Sequence, residues 1–86
     1  MAVLHLLDSV ATLQPLSIER LNLIEPEYTL LQGLPSGQVG TVVRIYDGDS
    51  PHYLVEFADL QGREYAMAVL QAHEVLALHY EVSVAN

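Results

Sequence analysis

Residues 38–59 read QVGTVVRIYDGDSPHYLVEFAD. In the first part Val39, Thr41, Val43 and Ile45 recur at a period of two, while Arg44 and Tyr46 fall on the other face. That pattern predicts a half-buried strand over 38–47, rich in β-branched residues. Asp47-Gly48-Asp49-Ser50-Pro51 follows, a cluster of turn formers in which glycine takes positive φ and proline fixes its own. His52 to Asp59 then alternates again, with Tyr53, Val55 and Phe57 on one face and Glu56 opposite. Two such strands joined by a short turn make a hairpin.

Downstream, Leu60-Gln61-Gly62 is a second tight turn leading into REYAMAVLQ, residues 63–71. This run is apolar on both faces: Tyr65, Met67 and Val69 on one, Ala66, Ala68 and Leu70 on the other. A third strand over 63–70 is expected, either covered on both sides or meeting another molecule with its outer face. Gln71-Ala72-His73 is short enough for a single 3₁₀ turn, and EVLALH, residues 74–79, predicts a last short strand.

Upstream the signals are weaker. Leu6 to Leu13 (LLDSVATL) predicts an opening strand. Residues 14–36, punctuated by Pro15, Pro26, Gly33 and Pro35, form a long stretch that is too apolar for a solvated linker. Ser17 is placed to cap one or two helical turns through Ile24, with Glu19 in the first turn and Pro26 as the stop. This segment is expected to pack onto a barrel as a long arm or a swapped element. The whole of 1–86 reads as one domain, with residues 80–86 as a C-terminal tail in which YEVSV alternates like a strand suited to edge pairing.

Hydrophobic residues make up 51% of the 86 and charged residues 16%, a balance that favours a compact globule over a disordered chain. Three arginines and no lysine face eleven acidic residues, for a formal charge of -8. Isolated cations of this kind do not track phosphate backbones or anionic lipid, so nucleic-acid and membrane partners are excluded. The charge serves solubility; any role beyond that would be to speed encounter with a basic partner. Cysteine is absent, so there is neither a disulfide frame nor a thiolate site. The apolar start carries no basic side chain and is interrupted at Asp8, which predicts a cytoplasmic chain rather than a secreted one.

No arrangement of residues points to catalysis. His5, His52, His73 and His79 share no metal-ligand spacing, and Asp47-Gly48-Asp49 lacks the further carboxylates of a calcium loop. Glu25-Pro26-Glu27 reads as a solvated acidic bend, and GQVG at 37–40 as tight packing or a bulge rather than a phosphate loop. The sequence therefore predicts no enzyme, no cofactor and no metal.

Leu7-Asp8-Ser9-Val10-Ala11, Gly37-Gln38-Val39-Gly40-Thr41-Val42-Val43, Tyr53-Leu54-Val55-Glu56-Phe57, Gly62-Arg63-Glu64-Tyr65-Ala66 and Leu76-Ala77-Leu78 together resemble the uncharacterised domain-of-unknown-function 4926 family, common in cyanobacteria. The resemblance covers most of the chain, with 14–36 longer than the loop usual there. It implies an all-β fold, a small SH3-like barrel of five antiparallel strands with a long loop or short helix after the first. It also implies a small companion protein, in some cases encoded beside a toxin, with no catalytic residues to carry over. Similar barrels occur as accessory parts of the nitrile hydratase β subunit and of photosystem I.

The leading expectation is a non-catalytic protein-interaction module for one partner, plausibly basic, of the acidic antitoxin or immunity type or an accessory protein. The alternatives are a self-assembling structural homo-oligomer and an accessory subunit of a larger enzyme or redox complex. The candidate interaction surface comprises Tyr46, Tyr65, Met67, Val69, Glu25, Glu27, Tyr28 and Tyr80.

Overall fold

A computed structural model describes residues 4–24 and 32–78. Its strands are β1 (Ser9–Thr12), β2 (Leu16–Ser17), β3 (Asn22–Leu23), β4 (Gly33–Leu34), β5 (Val39–Tyr46), β6 (His52–Ala58), β7 (Glu64–Gln71) and β8 (Val75–Leu78). Single 3₁₀ turns occupy Ile18–Arg20 and Ala72–Glu74. Six strands form one antiparallel sheet in the order β3-β7-β6-β5-β1-β8, and β2 pairs with β4 beside it. The fold is all-β, as expected. The sheet has six strands rather than five and does not close, because β3 and β8 stand at its opposite edges.

The hairpins fall where turn chemistry placed them. Asp59 organises the second one: its Oδ1 accepts the N–H groups of Gln61 and Arg63 at 3.0 and 2.9 Å. The Gly62 N–H bonds the Asp59 carbonyl at 2.9 Å. This is the local side-chain turn that aspartate favours. The opening strand is shorter than 6–13. A turn bonds Asp8 N–H to the His5 carbonyl, and Leu7 sits at φ 70° with its side chain in solvent, so the regular strand starts only at Ser9 although Leu7 and Asp8 already bond Val42.

The core is built from rows running across the sheet. One row crosses all six strands: Ala77, Val10, Gly40, Phe57, Ala66 and Leu23. Small and large residues alternate along it, and the Phe57 ring is fully buried between Gly40 and Ala66. A second row, Val42, Val55 and Ala68, is also fully buried. Burial of such side chains is the main stabilising term.

Two bulges change the expected facing. On β5 the buried residues are Gly40 and Val42, not Val39 and Thr41. Val43 is the extra residue, since Val42 pairs with Val55 and Arg44 already pairs with Leu54. Parity switches there, and Ile45 returns to the inner side against Tyr53. On β7 the extra residue is Tyr65, between Ala66 opposite Phe57 and Glu64 opposite Ala58. A bulge leaves one residue out of the pairing and turns its side chain aside.

The described ends of the arm pack onto the sheet. Leu16, Leu21 and Leu34 join the core, and β3 extends the sheet beyond β7. The predicted helical turns shrink to one 3₁₀ turn, in which the Ser17 side chain makes no capping bond. Gly33 is required where β4 meets β2, because a Cβ there would collide with the Leu16 carbonyl oxygen.

Thr12, the buried polar residue of the core, fixes the return of the arm. Its hydroxyl donates to the Pro35 carbonyl at 3.1 Å and accepts the Gln38 N–H at 3.0 Å. Thr12→Val keeps the shape and leaves both partners unsatisfied. The expected cost is about 1–3 kcal/mol in urea unfolding.

Candidate functional site

The outer face of the sheet carries the exposed side chains of Val39, Tyr46, Val69 and Leu76, while those of Leu6, Leu7 and Leu60 lie in turns outside the strands. Its central row runs Leu78, Ser9, Thr41, Glu56, Met67 and Asn22, again across six strands. To one side lie Leu76, Ala11 and Val39, and to the other Arg44, Leu54 and Val69. Leu76 is 55% exposed, Val39 46% and Val69 39%. Half-buried Leu54 stands opposite Val69, and half-buried Met67 opposite Glu56. The result is a mixed patch, in which Ser9, Thr41 and Glu56 stand between Val39 and Leu76 on one side and Leu54 and Val69 on the other.

A carboxylate pair sits within this patch. Burial pushes the Glu56 carboxyl above the usual carboxylate range, and a hydrogen bond and charge repulsion from Glu64 add to the shift. The sequence reading had placed Glu56 opposite the core face without assigning it a role. Its isolation among apolar neighbours in HYLVEFAD was the available signal.

Three of the eight candidate residues meet on this face. Met67 and Val69 lie on β7, and Tyr46, 40% exposed, lies at the far end of β5 with the Arg44 guanidinium 5.3 Å from its ring centre. Tyr65 does not face outward. It is 6% exposed, because the β7 bulge turns it off the outer row, and its carbonyl accepts the Ile24 N–H at 2.8 Å. Glu25, Glu27, Tyr28 and Tyr80 lie outside the described residues, as do the acidic bend and the YEVSV tail.

Tyr65 instead lines a groove of about 320 Å³ with Leu34, Pro35, Gln38, Ala58, Asp59 and Leu60. Asp59 there is occupied with its own turn and with Arg63, 3.5 Å away. A second hollow of about 250 Å³ lies between Asp49, Ser50 and Pro51 on one side and Gln71, Ala72 and His73 on the other. His52 Nε2 is 3.3 Å from the Gln71 side-chain nitrogen. Among the described residues no three His, Cys, Asp or Glu side chains gather to hold a metal ion.

One side chain missed by the sequence reading is Arg20. It reaches from the arm to Glu74 with two hydrogen bonds of 2.8 and 3.1 Å and to the Val69 carbonyl at 3.1 Å. Glu74 Oε1 also accepts the Gln71 N–H at 2.9 Å. The clamp holds the arm against the end of β7, behind Val69. No local pattern marks it, since the partners are 54 residues apart.

Arg20 holds the Glu74 carboxyl below the usual carboxylate range. A depressed folded-state pKa gives stability that is complete above the unfolded value and lost as pH falls through the folded one. Both partners are partly solvated, so Arg20→Ala is expected to cost only about 1 kcal/mol at neutral pH. The difference from the parent should narrow once acid has protonated Glu74, leaving the part due to the Arg20–Val69 carbonyl bond. Melting curves of the two proteins across the acid range test this, and an unchanging gap would refute it.

Residues 6–77 match a family model described as Domain of unknown function (DUF4926). No curated protein and no solved structure matches the chain.

Proposed function

We propose, from the premise that the chain belongs to the DUF4926 family, that it is a non-catalytic cytoplasmic module whose outer sheet face docks on one basic protein partner. The observation that carries the reading is the composition of that face. Val39 and Leu76 on one side and Leu54, Met67 and Val69 on the other supply apolar area, and Glu56, with Glu64 beside it, sets negative charge between them. Interfaces of this kind draw affinity from the apolar centre and encounter rate from the charge.

Of the three arginines, Arg44 puts its positive charge on one side of the face. Arg20 is engaged by Glu74, Arg63 approaches Asp59, and Arg44 lies over Tyr46. A chain of net charge -8 still presents an acidic field to its surroundings. An antitoxin or immunity role, or that of an accessory protein, is the specific form this reading takes. We also read the sheet as an open relative of an SH3-like barrel. The neighbour order β8-β1-β5-β6-β7, with a 3₁₀ turn before the last strand, supports that reading.

The test starts with a tagged pull-down from cells, eluted stepwise with salt, with the recovered protein identified and purified. Its affinity for the parent chain and for Val69→Lys is then measured with pure components. A basic partner that elutes at moderate salt and binds Val69→Lys at least about tenfold more weakly supports the face. Equal affinity for both chains would refute it.

A further inference from the structure

β8 forms one edge of the sheet, and its sequence, Val75-Leu76-Ala77-Leu78, carries no charge and no proline. Natural edge strands are usually blunted by such residues or by bulges, because bare edges recruit other strands. The pairing with β1 shows which main-chain groups remain. Ala11 stands opposite Leu76 and Thr12 opposite Val75, and the Leu13 N–H bonds the Glu74 carbonyl. Bonded and non-bonded pairs alternate along an antiparallel ladder. Leu76 and Leu78 therefore turn their N–H and C=O groups toward β1, and Val75 and Ala77 turn theirs outward.

On the other side of β1 the same alternation holds, since Thr12 N–H bonds the Gln38 carbonyl and Val42 N–H bonds the Asp8 carbonyl. The Val75 N–H is taken by the Ala72 carbonyl at the end of the 3₁₀ turn. Left at the outer edge are the Val75 carbonyl and both main-chain groups of Ala77. Among the described residues no strand pairs with that edge. Beside it the Leu76 side chain is exposed, and Ala77 packs inward against the core.

We infer that β8 is a strand-addition site, centred on Ala77, for an extended segment of the partner carrying basic side chains. The reading rests on the proposed interaction function and adds where and in what conformation the partner binds. Main-chain hydrogen bonds supply the attachment, and alternate side chains of the added strand lie over Leu76 or continue the inner row beyond Ala77. A second copy of this chain fits the edge less well. Three main-chain groups are a small hold for two molecules each of charge -8, whereas basic side chains add attraction.

The test uses isotope-labelled protein and two synthetic peptides, one alternating lysine with valine and one alternating glutamate with valine. The expected result is that the lysine peptide slows exchange of the Ala77 amide about tenfold while the glutamate peptide leaves it unchanged. Ala77→Pro removes the outward N–H without touching the β1 ladder, so it should fold and lose the lysine peptide. Leu76→Lys, which adds a positive charge at an exposed edge position, should weaken the same binding if Ala77→Pro fails to fold. Lysine-peptide shifts confined to Met67 and Val69, with Ala77 untouched, would overturn the edge site and leave the face reading standing. No binding anywhere on the sheet would count against both. Concentration-dependent protection of Ala77 in the protein alone would give the edge to a second copy and overturn the inference.

Discussion

Phe57→Ala is expected to remove a large share of the domain's stability, about 3–5 kcal/mol. The ring is fully buried at the centre of the row that crosses all six strands. Truncating a buried phenylalanine costs about 3–5 kcal/mol, from lost transfer energy and from the cavity left behind. A domain of this length has a total stability of only about 4–13 kcal/mol. The neighbours cannot collapse into the gap, because Gly40 has no side chain and Ala66 only a methyl. Urea unfolding should show a lower midpoint with an unchanged slope. In a thermal melt each kcal/mol corresponds to roughly 4–8 °C for a domain of this size. A midpoint within a few degrees of the parent would show that Phe57 is not the centre of the core.

Gly40→Val is the second large effect, and it inverts the usual strand preference. Valine is a good strand former and glycine a poor one, so propensity alone predicts a gain. At this position a Cβ would stand 2.5 Å from Val55 Cγ1, 2.9 Å from the Glu56 carbonyl oxygen and 3.0 Å from Phe57 Cδ1. The carbonyl belongs to the paired backbone of β6 and cannot retreat without opening the β5–β6 ladder. Forcing added volume into such a site costs about 3 kcal/mol. Because one of the colliding atoms belongs to Phe57, the two substitutions are coupled. The double variant Gly40→Val, Phe57→Ala should cost less than the sum of the singles, by about 0.5–3 kcal/mol. Strict additivity in a urea double-mutant cycle would refute the shared packing.

Much of this architecture is legible in local sequence. The two hairpins around 47–51 and 60–62 follow from turn chemistry, and the inner face of β6, Tyr53, Val55 and Phe57, follows from alternation. The glycine at position 40 was readable as a packing position. The candidate face was half readable: Met67, Val69 and Tyr46 stand on it, whereas Tyr65 was misplaced and Val39 was assigned to the core. Both errors have one source. Alternation is counted along a single chain, and the bulges at Val43 and Tyr65 insert a residue that exists only relative to the paired strand.

The all-β class, the hairpins, the acidic field and the apolar character of the 63–71 run are local or additive properties, because each depends on neighbouring residues or on a sum over the chain. Tertiary structure alone decided which side of β5 is inside, how the arm closes on the sheet, and which groups meet on its outer face. Thr12 reaches Pro35 and Gln38, and Arg20 reaches Glu74, across 23, 26 and 54 residues. Such contacts leave no periodic trace in the chain. They form only when strand pairing has brought distant segments together, and their geometry is set by the ladder rather than by the residues that flank them.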